Sequence, residues 1–194
     1  MQFLKKFFAK KNKHIDNDFS GEQNIDKSEL ETDELFVVNY KEKGGKFFYP
    51  ESMEDLTEQL EIILKLTGQE RYAVIERSYY HFLQKIKIPV TGDVKKSDIL
   101  LGGCEYLMAS EASILMTSKQ LKNFRNSQLP KQRVIIATSD QIVFDKQKAL
   151  QEINKKYDEY PSNIQSFSNF TKSNDDLLGN QWYETYLFLI EKEQ

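Results

Sequence analysis

A chain of 194 residues, 39% of them hydrophobic, can bury one core of ordinary size and is short for two. Its 27 basic and 30 acidic residues leave a net charge of −3, which excludes a surface built throughout for nucleic acid. The one cysteine, Cys104, excludes an intrachain disulfide, a thiolate zinc site and a cysteine-ligated iron–sulfur cluster, so no resident cofactor or metal is expected.

His14 and His81 are the only histidines, and any nucleophile activated by histidine would have to be built on one of them. No apolar run approaches the ~20 residues that span a bilayer. The first residues lack the continuous apolar stretch of a secretory signal, and the expectation is a cytoplasmic protein.

Residues 1–34 read as a basic amphipathic segment followed by a flexible acidic linker. Phe3, Leu4, Phe7 and Phe8 share a helical face beside Lys5, Lys6, Lys10, Lys11 and Lys13. Such a segment can touch an anionic membrane surface weakly, enter a partner's groove, or form a frayed terminal helix. From Asp16 to Glu34 the chain is acidic and has almost no large apolar residues, too few to offset the entropy of ordering.

The folded part, residues 35–194, is expected to open with the β-prone run "ELFVVNY", a turn at Gly44-Gly45 and a strand in "KFFYP". Ser52 then caps a helix whose apolar positions Leu56, Leu60, Ile63 and Leu64 recur at helical spacing, with Gly68 as its stop. "RYAVIE" reads as a buried strand, "SYYHFLQKIK" as a helix ended by Pro89, and "PVTGDVKKSD" as a polar loop. Four short apolar strands follow in "ILLGGCEYLM", "ASILMTS", "RVIIAT" and "QIVF", then a helix from Lys146 to Tyr157 and a last strand in "YETYLFLIE". Interleaved helices and strands predict a single α/β domain with a largely parallel central sheet flanked by helices.

Open α/β sheets bind ligands at the carboxyl ends of their strands. The strand-end loops offer Ser110 and Glu111, then Thr117, Ser118 and Lys119, then Thr138, Ser139 and Asp140. Between them "KNFRNSQLP" carries Arg125, Asn126 and Gln128, where the arginine can fork onto a carboxylate or phosphate of an anionic small molecule or pair with a neighbouring acid. Glu111 lies between two apolar runs, where a carboxylate is costly unless paired, hydrated or used. It can accept hydrogen bonds from a ligand's hydroxyls, or take backbone amides and pair with Arg125 or Lys119. Cys104 in its apolar setting reads as a small buried hydrophobe. Gly102-Gly103 reads as a bulge or strand bend, since the lysine and spaced glycine of a phosphate loop are missing. His81 reads as a helix-surface residue, and Trp182, Tyr183 and Tyr186 as packing.

The segments "CEYLMASEASILMTS", "NSQLP", "RVIIATSDQIV" and "YLFLIE", taken in order over Leu35 to Glu191, resemble the LUD domain of lactate-utilisation proteins, specifically the type without iron–sulfur clusters. The resemblance implies a fold like that of the NagB/RpiA/CoA-transferase superfamily. It also implies an accessory role in using lactate or a related organic acid, beside a partner subunit that holds iron–sulfur centres. Where the family has Glu-Thr-Gly-Thr this chain has "EASI", keeping Glu111 and losing the glycine. The family's late motif has a loose counterpart in "SFSNFTKSNDD", with Ser168, Thr171 and Asp175 or Asp176 as equivalents. In the wider superfamily a carboxylate can form an acyl anhydride and then a thioester with coenzyme A, a third role for Glu111. The alternative to a subunit is a stand-alone binding or group-transfer protein for an anionic metabolite such as a coenzyme A ester or sugar phosphate.

Overall fold

The computed structural model describes residues 26–91, 93–168 and 183–192. The N-terminal amphipathic segment, most of the acidic linker, Thr171, Asp175 and Trp182 lie outside the described residues.

The first element corrects the expectation of a strand in "ELFVVNY": the run is helical and forms α1, Thr32–Glu42. The backbone N–H of Glu31 donates to the Glu34 carboxylate at 3.2 Å, and Asp33 and Glu34 put negative charge on the first turn. Phe36, Val37 and Tyr40 recur at helical spacing and are buried, so packing overrides the strand preference of the two valines. The other helices follow their local signals. Ser52 caps α2, Met53–Thr67, by accepting from the Asp55 amide at 3.1 Å, and Gly68 closes it at φ +64°. Next come α3, Arg77–Lys85, the short α4, Ser118–Leu121, and α5, Lys146–Lys156, capped by Asp145.

Six strands form a wholly parallel central sheet: β1, Lys46–Phe48; β2, Tyr72–Val74; β3, Val90–Thr91; β4, Ile99–Gly102; β7, Gln132–Thr138; and β10, Glu184–Ile190. Their order across the sheet is β1-β10-β7-β4-β2-β3, with β7 and β10 in register from Gln132↔Glu184 to Thr138↔Ile190. The parallel sheet predicted from sequence is present. β3 lies within the stretch read as a polar loop.

A second sheet was not separated by the sequence reading. It consists of β5, Tyr106–Met108; β6, Ser113–Met116; β8, Ile142–Val143; and β9, Gln165–Ser168, in the order β8-β5-β6-β9. "ILLGGCEYLM" is therefore not one strand: it leaves the central sheet at Gly102 and enters the second at Tyr106.

Alternation along the strands assigns the layers. Val134, Ile136, Tyr186 and Phe188 face α2 and α3 through Leu56, Leu60, Ile63, Leu64 and Leu83. Ile135, Ala137, Leu187 and Leu189 face α1 and the second sheet, meeting Leu107, Ile114, Met116 and Phe167. The second sheet's outer residues Met108 and Leu115 pack on Ala149 and Ile153 of α5. Helices thus cover one face of the central sheet, and chiefly a second sheet covers the other. No helix among the described residues is long and apolar enough to cross a membrane.

Candidate functional site

From β2 the chain passes through α3 to β3 on one side, and afterwards to β4 on the other. The carboxyl ends of β2 and β4 therefore flank the point where strand order reverses, the place where open parallel sheets leave a crevice for ligands. β4 ends at Gly102, opposite Ile135, while β7 continues beside β10 to Thr138. Past Gly102 the two strands part.

Two side chains from the start of α3 reach into this split. Gly103 donates its backbone N–H to Glu76 Oε1 at 2.8 Å, and the Tyr79 hydroxyl donates to the Ile136 carbonyl oxygen at 3.1 Å. A Cβ on Gly103 would stand 2.7 Å from the Tyr79 hydroxyl oxygen, so a larger residue there would push the Tyr79 ring aside. Burial pushes the Glu76 carboxyl above its usual range; the Gly103 amide opposes that rise and the nearby Glu105 charge adds to it.

Glu105, two residues on, is completely buried. Its carboxylate accepts from Lys156 Nζ at 2.7 Å, the Tyr157 hydroxyl at 3.0 Å, Gln120 Nε2 at 3.1 Å and the Thr117 hydroxyl at 3.3 Å. Burial by itself would lower the pKa of the Lys156 ammonium, but the Glu105 carboxylate outweighs it and holds the pKa above its usual value. The Gln141 side-chain amide donates to the Cys104 carbonyl at 2.6 Å and ties the loop after β7 to this group. Cys104 is buried, and burial with the two neighbouring carboxylates pushes its thiol far above its usual range, so it is no thiolate nucleophile.

Of the residues singled out from sequence, Thr117, Lys119 and Thr138 belong to this edge. Thr117 caps α4 and bonds Glu105; the Lys119 ammonium lies 5.1 Å from the centre of the Tyr157 ring; and the Thr138 amide donates to the Gln141 side chain at 2.8 Å. Thr138 also donates its hydroxyl to Asp140 at 2.6 Å, and Asp140 pairs with Lys192 at 2.7 Å. Glu31, Thr32, Asp33, Ser139 and Ile142 line a shallow depression beside them.

Ser110 and Glu111 lie elsewhere. They form the exposed tip of the β5–β6 hairpin, whose last turn residue, Ala112, has φ +44°. β5 runs back from the carboxyl edge, so the tip sits near Lys43, just ahead of β1, and Lys43 Nζ donates to the Glu111 carbonyl. The Glu111 carboxylate accepts from the Ser110 hydroxyl at 2.8 Å. Register places Ser168 opposite Ser113, so the "EASI" and "SFS" segments of the family resemblance do meet here. Arg125 is exposed on the loop beyond the far end of β6, where its amide donates to Gln128 Oε1 at 2.8 Å. Asn126 opens the short turn that includes Gln128. With β6 between them, Arg125 and Glu111 do not grip one ligand.

Glu76, Tyr79, Glu105, Gln120, Gln141, Lys156 and Tyr157 were missed in the sequence. The one local signal was Gly102-Gly103 directly after an apolar strand, which marks a close approach of backbone and side chain.

No protein-family model and no curated protein matches the chain. Its fold is similar to the crystal structure of a DUF162 family protein from Deinococcus radiodurans, with a TM-score of 0.58 at 14% sequence identity, over 84% of this chain and 99% of that one. At that identity the likeness is one of fold.

Proposed function

We propose that this protein is a LUD-type domain acting in the cytoplasm as an accessory subunit in the utilisation of lactate or a related organic acid, on a NagB/RpiA/CoA-transferase-like scaffold. What supports the reading is the fold likeness: DUF162 is the LUD-domain family, and a solved member of it is matched over 99% of that chain's length. With one cysteine, buried beneath the strand ends, the chain has no thiolate set for an iron–sulfur cluster. Electrons from the oxidised acid then pass to a partner subunit that holds such centres.

Deleting the gene and growing the strain on L-lactate as sole carbon source, while recovering the tagged chain from the parent strain, tests this. The expected result is slowed growth on lactate, restored by the gene in trans, and a co-purifying protein with iron–sulfur absorption. Normal growth on lactate together with a chain recovered alone would overturn the proposal.

A further inference from the structure

We infer that the open groove between the start of α1 and the turn from β8 into α5 is the docking site of this chain's own N-terminal segment, residues 3–13. Two adjoining depressions of about 460 and 470 Å³ share Thr32 and Ile142 and together make the groove. Its apolar part is Ile142, Val143 and Phe144, the last 52% exposed although it follows directly on the buried Val143. A lone exposed aromatic is ordinary on an open surface. Here it borders a groove whose other lining residues set the charge of what can cover it: Glu31, Asp33 and Asp145 are acids, and the one base among them, Lys148, pairs with Glu152 at 2.8 Å. The groove therefore suits a partner that brings aromatic side chains and positive charge.

Residues 3–13 have that make-up: Phe3, Leu4, Phe7 and Phe8 stand among five lysines, with no acid between them. They are also tethered at a matching distance. Asp26 is five residues from Glu31, so it lies at most ~18 Å from the groove. Thirteen residues lead from Lys13 to Asp26, and a chain of that length has a root-mean-square span of roughly 20 Å. A tether whose span matches the separation gives the highest local concentration, on the order of millimolar, so a contact too weak to hold a free peptide is populated within one molecule. A membrane surface or a second copy of the chain has no such tether. Neither a lactate substrate nor an iron–sulfur partner enters this contact, and it stands or falls apart from the proposed function.

A nitroxide on Gln2→Cys of the full chain tests the inference, because the native Cys104 is buried and stays unlabelled. The chain carries nitrogen-15, and each amide is read as the ratio of its peak heights with the nitroxide oxidised and reduced. The expected result is a ratio about two-fold lower at residues 142–144 and 147–151 than at Glu58 and Ile62, which are exposed on α2 across the central sheet. That excess broadening should be lost in the double variant Phe7→Ser and Phe8→Ser, and should fall with Lys5→Glu and Lys6→Glu or with added salt. Phe144→Ser, at an exposed position, should abolish it from the other side of the contact.

Equal broadening at the groove and at α2 overturns the inference, as does an excess that survives the loss of Phe7 and Phe8. Broadening seen only when nitroxide-bearing unlabelled chain is mixed with nitrogen-15 chain would make a second copy the occupant. An excess absent in buffer, with the segment instead binding vesicles of phosphatidylserine and phosphatidylcholine, would make a membrane its partner. Either result overturns the inference as well.

Discussion

Glu105 has no exposed surface, and what makes its burial tolerable is that Lys156, Tyr157, Gln120 and Thr117 all donate to it. Removing the carboxylate leaves the buried Gln120 and Thr117 donors unsatisfied, at about 1–3 kcal/mol each, while Lys156 reaches water, so the loss should be roughly 2–5 kcal/mol. Glu105→Ala is therefore expected to lower the urea midpoint by that margin at unchanged slope. Glu105→Gln should lose less, since it keeps an acceptor and the half-exposed Lys156 can turn to water. A Glu105→Ala midpoint within ~1 kcal/mol of the wild type would show that the network contributes little. The sequence located the problem of a charge among apolar runs in the right stretch, but Glu111 drew attention that belonged to Glu105. Hydrophobic pattern cannot tell the tip of a hairpin from the entrance of a strand. What separates the two glutamates is a lysine 51 residues further on, which only the fold brings near.

At the scale of elements, α3 ends in a turn that asks for a residue it does not have. Ile88 donates to the Leu83 carbonyl at 2.9 Å and Lys87 to the Gln84 carbonyl at 3.0 Å, the paired bonds of a helix closed by a left-handed residue. That residue is Lys87 at φ +60°, exposed to solvent, where a Cβ is strained by about 1 kcal/mol and glycine is not. Lys87→Gly is expected to stabilise the protein by about 1 kcal/mol, a rise of roughly 2–4 °C in the melting temperature. An unchanged or lower melting temperature would mean that the strain is relieved another way. Where such end chemistry is local and fits its residue, as at Ser52 and Gly68 of α2, the element could be read directly from sequence. α1 could not, because Val37 and Val38 favour strand in isolation and become helical only by burying Phe36, Val37 and Tyr40 under the central sheet. "ILLGGCEYLM" misled for the opposite reason: its apolar character is continuous, and only the two glycines mark where it changes sheets.

In the whole molecule the parallel sheet was legible because its longest strands, β7 and β10, are apolar on both faces, as strands covered on both sides must be. The second sheet was not, because strands of two to four residues carry too few positions to show a period. What joins the two sheets includes an unexpected cation. Arg133 of β7 is fully buried, donates through Nε to the Pro130 carbonyl at 3.0 Å, and places its guanidinium 4.3 Å from the ring centre of Phe167 in β9 and 4.1 Å from that of Tyr183. Burial lowers its pKa to about 10, an environment that depends on both rings keeping water out. Phe167→Ala removes one ring and opens a cavity against the guanidinium, so the loss should reach ~3–5 kcal/mol. Phe144, 52% exposed at the start of the α5 segment, is the control: Phe144→Ala should stay within ~0.5 kcal/mol. If the sheets unfold as one unit, Phe167→Ala shifts a single denaturant transition, seen at the same midpoint by circular dichroism and by exchange of the β7 and β10 amides. If the second sheet can melt alone, the variant will release the amides of Leu107 and Ile114–Met116 while Val134–Ala137 remain protected. Arg133 would then be a lid on the central sheet rather than a bond between the two layers.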